Sequence, residues 1–184
     1  MISRDEALGL LQKYLRNDKL IAHSKAVEAI LRAMARQLKV DEDLWGLTGL
    51  LHDMDFEYTR DEPEKHTIIT TQMLAGLLPE EGLEAIKAHN YQHTNKLPIN
   101  PLDRALIAAD AMAGLIIATG LIMPNKTLAE VKPKSLIDKY KDTSFASKIS
   151  RKRIELCVDT GFELEEFLTL SLEAVQQIAD ELQE

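Results

Sequence analysis

His52 and Asp53 close a strongly apolar helical stretch that runs through Leu44, Leu47, Leu50 and Leu51. An imidazole and a carboxylate at a buried helix end are costly unless something cationic binds them. His23 lies one turn before Val27, on the face that carries Ile30, Leu31, Met34 and Leu38, so it points inward. Asp110 shares one stripe with Leu102, Leu106, Ala109, Ala113 and Ile117. Left unpaired there, it would be costly or would have to stay protonated. Two imidazoles and two carboxylates, inward on three helices, form a mixed N/O ligand set for a divalent metal: manganese, iron, zinc, magnesium, cobalt or nickel. Four protein ligands leave positions for water and substrate on an octahedral ion. The other histidines are His66, His89 and His93. His89 recurs with Leu83 and Ile86 along an apolar face, and His93 lies one turn beyond. Asn90 stands where a zinc protease would carry glutamate after its first histidine, so the pair does not read as that motif.

The elements that must hold these residues are helices, and no run alternates as a strand would. Ser3 and Glu6 make a capping box for a first helix through Ala7, Leu8, Leu11 and Leu15. Asn17-Asp18 interrupts it ahead of the helix bearing His23, whose Lys25, Glu28, Arg32 and Arg36 read as solvated. Asp41 starts a third helix that ends near His52-Asp53. Met54 to Lys65 reads as a polar connection, with Pro63 in it. A fourth helix starts near His66 and packs through Ile69, Met73, Leu74, Leu77 and Leu78. Pro79-Glu80-Glu81 opens a fifth that frays by His93 to Pro98. Asn100-Pro101 caps a long sixth. The last helix, from about Glu163, is amphipathic through Phe167, Leu168, Leu172, Val175 and Leu182. The expected class is all-α: one domain over 1–184, a metal-binding core over about 18–123, and a basic segment with packing helices over about 124–184.

The net charge is −8 and the pI about 5.2, which argues against bulk nucleic acid as a partner. The charge is uneven. Residues 124–153 hold nine Lys and Arg against three acids, a net +6 that leaves −14 elsewhere. A basic segment beside an acidic metal site suits an anionic substrate; the plain alternative is a solvated face. One cysteine, Cys157, excludes an intrachain disulfide and fits a reducing, cytoplasmic setting. The acidic start, Asp5-Glu6, is unlike a signal peptide. Ala105 to Met123 is nearly long enough to span a bilayer, but Asp110 in its middle would cost about 2.5–3.5 kcal/mol there. A buried core helix and no membrane partner are expected. The oligomeric state is open, a homodimer included.

The order His23, His52-Asp53, Asp110 resembles the HD-domain superfamily of metal-dependent phosphohydrolases. Leu50-Leu51-His52-Asp53-Met54-Asp55 looks like that family's central motif, and Ile107-Ala108-Ala109-Asp110-Ala111 like its final Asp motif. The resemblance covers roughly Leu20 to Leu121 and implies a compact HD-type helical bundle with additional C-terminal helices. His66 and His89 fall where two-metal members add histidines, which implies a second ion on those two with Asp53 bridging. Asp55 and Phe56 stand where the cyclic-dinucleotide branch carries Gly and Lys, which argues against that substrate.

The expected activity is hydrolysis of a small phosphate ester such as a nucleotide. The metal would lower the pKa of its water to give hydroxide near neutral pH. Asp53 is indispensable to that step, and Asp55 or Glu57 is the candidate proton donor to the leaving oxygen. Lys132, Lys134, Lys148 and Arg151 would steady the phosphoryl oxygens, and His93 would contact substrate or support a metal-binding residue. Two rivals share the ligands: a di-iron oxygenase, as in some relatives of the superfamily, and a non-catalytic, metal-stabilised helical binding module.

Overall fold

Caps written into the sequence set the helix boundaries. In the computed structural model, which describes residues 1–182, Ser3 and Glu6 close a capping box at the start of α1 (Arg4–Tyr14). Asn17 accepts from the Lys19 amide to open α2 (Asp18–Leu38), and Asp41 accepts from the Leu44 amide to open α3 (Glu42–Leu51). Short helices follow: α4 (Phe56–Thr59), α5 (Ile68–Met73), α6 (Glu80–His89) and α7 (Tyr91–Thr94). Asn100 and Asp103 cap α8 (Pro101–Leu121), with Pro101 in the first turn. The chain continues through α9 (Pro133–Lys141), α10 (Arg151–Ile154), a 3-10 turn over Glu155–Thr160, and α11 (Leu164–Gln177). The fold is all-α: there is no strand among the described residues.

The two longest helices, α2 and α8, lie against each other and carry His23 and Asp110. α3 packs on α2, α6 on α8, and α11 on both long helices. The core between them is built from Val27, Ile30, Leu31, Leu50, Leu51, Leu106, Met112, Phe167 and Leu172. α8 is long and apolar enough to cross a membrane, but 67% of its apolar window is buried inside the protein; it is the helix on which the core closes. α2 and α3 approach closely because residue 49 is glycine. A Cβ there would sit 3.1 Å from the backbone of Val27 and of Glu28. That contact sets the distance between the helices that bring in His23 and His52.

Three expectations are corrected. Lys25 and Glu28 are buried, not solvated. Because α2 is covered by α3, α8 and α11, its polar side also faces protein. Glu28 Oε1 accepts from Arg4 Nε (2.8 Å) and Arg32 Nε (2.9 Å), while Lys25 Nζ donates to the Glu181 carbonyl (2.8 Å). Met54 to Lys65 is not simply a polar loop: it contains α4 and buries Met54, Asp55 and Thr59. The fourth expected helix stops at Met73, and a turn through Gly76 (φ 77°) follows.

Candidate metal centre

His23 comes from the second turn of α2, and His52-Asp53 from the end of α3. His66 lies just ahead of α5, His89 is the last residue of α6, and Asp110 is mid-α8. The fold brings all six side chains to one place. The rings of His52 and His89 stand edge to face with centroids 4.9 Å apart, His23 lies 5.8 Å from His52, and His66 lies 5.7 Å from His89. Two carboxylates sit among them. Asp110 Oδ1 lies 2.9 Å from His23 Nε2, and its Oδ2 lies 3.0 Å from His89 Nε2. Asp53 lies 3.4 Å from both His52 Nε2 and His66 Nε2, one oxygen to each.

The donor atoms are those a divalent cation takes. His52 Nδ1–H donates to the Gly49 carbonyl at 2.7 Å, which leaves Nε2 as the free nitrogen of the neutral ring. That Nε2, Asp53 Oδ1 and His89 Nδ1 are buried with no hydrogen-bond partner. Such atoms are rare unless a ligand, ion or water meets them. Two sets, His23–His52–Asp110 and His52–Asp53–His89, each offer three ligand atoms within 4.8 Å of one another, and they share His52. The residues fit one or two N/O-bound ions.

Electrostatics hold the cluster in a charged form. Burial alone would raise the Asp53 and Asp110 carboxyls. The histidines outweigh it, His52 and His66 for Asp53, His89 and His23 for Asp110, and both stay well below the usual carboxylate range. Burial pushes the His89 imidazole down. For His52 burial acts in the same direction, but the charges of Asp53 and Asp110 prevail and raise it. His66 is lifted to about 9: burial opposes the rise, and the neighbouring carboxylates of Asp53 and Asp55 override it.

Asp55 has a different place from the one expected of a free acid. It is fully buried. Its Oδ1 accepts from His66 Nδ1–H at 2.7 Å and its Oδ2 from the Thr70 amide at 2.9 Å, while its own amide donates to Thr70 Oγ1 at 3.0 Å. It therefore orients His66, with Nε2 aimed at Asp53, and is engaged at both oxygens. Asn90, next to His89, holds the same loop from the other side through the carbonyls of Pro63 and His66. Between these supports Thr67 is buried with φ 72°, a strained conformation for a β-branched residue. Glu57 Oε2 accepts from the Arg16 amide at 2.8 Å and ties α4 to the α1–α2 junction.

The cluster opens on one side. The side chains of Asp110 and His23 keep 21% and 18% of their exposure, whereas His52 has none. The open side is a cavity of about 410 Å³ that His23 and Asp110 share with Gln92, Lys148, Ser150 and Arg153. Of the basic residues expected there, Lys148 lines it. Arg151 does not: its guanidinium donates to the six carbonyls of Lys139, Tyr140, Asp142, Phe145, Ala146 and Ile149, so it is committed to the loop before α10. Lys132 and Lys134 are exposed at the start of α9 and, like His93 on α7, are not among the residues that line the cavity. The residue the sequence reading passed over is Arg153, whose Nη2 donates to Asp110 Oδ2 (3.2 Å) and to the His89 carbonyl (3.3 Å). Its signal was present, as the last of three consecutive basic residues in the +6 segment, but nothing in the pattern told it from Arg151.

Residues 20–115, half of the chain, match the family model described as the HD domain. Comparison with curated proteins and with solved structures gave no match.

Proposed function

Because the chain belongs to the HD-domain family, whose members are generally metal-dependent hydrolases, we propose that it is a metal-dependent phosphohydrolase acting on a small phosphate ester. The observation that carries this reading is the trio of buried, partnerless donor atoms on His52, Asp53 and His89, beside a cavity that holds Lys148 and Arg153. His23, His52, Asp53 and Asp110 would hold one ion, and His66 and His89 with Asp53 a second. When bound, such an ion makes water nucleophilic near neutral pH and draws charge from a phosphoryl oxygen. The chain's own residues do the rest. Gly49 fixes the His52 tautomer, and Asp55 fixes that of His66. Lys148 and Arg153 offer positive charge to phosphoryl oxygens that gain negative charge in the transition state.

Metal content per chain, measured by elemental analysis beside a His66→Ala, His89→Ala double variant, tests the reading. About two ions falling to one with the fold retained supports it, followed by phosphate release from a panel of phosphate esters that Asp53→Ala abolishes. No metal after reloading overturns it, as does oxygen-dependent turnover by iron-loaded protein in place of hydrolysis.

A further inference from the structure

The binding end of the cavity is built by residues that lie outside the family-matched core. Lys148, Ile149, Ser150 and Arg153 come from the stretch into α10, past residue 115. This stretch is seated by two local features. Gly114 leaves room for Ile149, whose Cδ1 would stand 3.2 Å from a Cβ at that position. Arg151 gathers six carbonyls from the last turn of α9 and the loop after it, so Lys148 and Ile149 are presented by an ordered backbone.

The charges in the cavity do not balance. Its one carboxylate, Asp110, is already shared among His23, His89 and Arg153. Arg153 uses only Nη2 in its described bonds: Nε is buried without a partner, and Nη1 makes none. Lys148 is exposed and has no carboxylate within ion-pair distance among the described residues. Two cations therefore face one cavity with spare donor capacity, beside the proposed metal ligands. A phosphomonoester carries a charge of about −1.5 to −2 at neutral pH on three terminal oxygens. With Arg153 already paired to Asp110, the contrast lies in acceptors: a phosphodiester offers only two non-bridging oxygens and a single charge to Lys148 and to the unused Arg153 donors, where a monoester offers three oxygens and more charge.

We infer that Lys148 and Arg153 form a subsite for the terminal phosphate of a phosphomonoester, and that the segment past the HD core thereby selects monoesters over diesters. Arg153, held by Nη2 on Asp110 and the His89 carbonyl, supplies the two N–H groups of Nη1 to phosphate oxygens, and Lys148 the mobile point charge at the rim. Gln92 and Ser150 are the neutral polar groups left for the organic part. This rests on the reading of the cavity as the substrate site.

The test is binding, not turnover. Methyl phosphate and dimethyl phosphate are titrated into the full-length protein by calorimetry, with chelator present and again with zinc, and zinc content is measured for every variant. Methyl phosphate is expected to bind at least about tenfold more tightly than dimethyl phosphate, with or without zinc. Arg153→Gln and Lys148→Gln should each weaken methyl phosphate about tenfold in chelator, where no zinc is bound, and Lys148→Gln should leave zinc content unchanged. Arg153→Lys, which keeps the charge without the planar guanidinium, should fall between; it also serves if the glutamine variant misfolds. Equal binding of the two esters overturns the inference, and so does wild-type affinity in Arg153→Gln in chelator. Failure to take up zinc with ester selectivity intact would instead count against the metal reading alone.

Discussion

Replacing Asp55 by asparagine tests whether this buried acid sets the state of His66. The change keeps the side chain's volume and removes its charge. Oδ2 of Asp55 accepts from the Thr70 amide, a group that can only donate. The asparagine carbonyl must therefore turn to Thr70, because the opposite flip would set two donors against each other in a buried site at about 1–3 kcal/mol. The amide NH2 then faces His66 Nδ1, which becomes an acceptor, and the ring proton moves to Nε2, the nitrogen aimed at Asp53. The lost bond, 2.7 Å long and charge-assisted, is worth about 1.5–3 kcal/mol. His66 should therefore titrate well below its present value of about 9. Near pH 6 the variant should unfold about 2 kcal/mol more easily in urea. Metal affinity at the position using His66 should fall roughly 10–100-fold, since Nε2 no longer offers a lone pair. Long-range proton–nitrogen correlation spectra of histidine-labelled protein read the tautomer directly, and a metal titration reads the affinity. An Asp55→Asn protein whose His66 keeps its proton on Nδ1 and titrates near 9 would refute the argument.

Three further outcomes are expected. In chelator, the raised His66 ionisation stabilises the folded chain fully below about pH 6.5, and that contribution is lost as the pH rises through about 9. The difference corresponds to about 3 kcal/mol, so the urea midpoint should fall across this window, and a flat profile would contradict it. Gly49→Ala places a methyl 3.1 Å from the α2 backbone; it should destabilise by about 1–3 kcal/mol and loosen metal binding by spreading His23 from His52, and wild-type stability would rule out the tight approach. Thr67→Gly relieves the left-handed strain and removes a buried, unpartnered hydroxyl. A gain of about 1 kcal/mol is expected in urea, whereas a net loss would show that the threonine's packing matters more than its strain.

Helical periodicity carried much of the centre in one dimension. His23, His89 and Asp110 stand on apolar stripes, and His52-Asp53 ends one, so an inward direction followed from spacing alone. The aperiodic parts were not legible. Met54 to Lys65 shows no repeat that separates a buried acid from a solvated one, and Asp55 goes inside only because Thr70 and His66 arrive from α5 and the loop before it. Glu28 sits on what a single helix would call its polar face. That face is interior because other helices cover α2, which is a property of the assembled bundle. The same limit applies to Arg151, Lys152 and Arg153. Within a four-residue helix, direction is decided by the path of the loop before it, so the sequence could not tell which arginine would bind its own backbone and which would reach Asp110.

The six carbonyls held by Arg151 also bear on how the protein meets proteases. From Lys139 to Arg153 the chain carries six lysines and arginines, several of them exposed, the residues after which trypsin-like enzymes cut. Cleavage needs a stretch of backbone to come free of the fold, and its rate follows how often that stretch opens. Here Arg151 ties the loop at four carbonyls, those of Asp142, Phe145, Ala146 and Ile149, and fastens it to the last turn of α9 through those of Lys139 and Tyr140, so opening a stretch long enough to cut breaks several of these bonds. Limited trypsin digestion should spare the segment in the native chain and cut it readily in Arg151→Ala, and rapid native cleavage after Lys148 would contradict this. A side chain that trypsin would recognise is thus the one that withholds the loop from it.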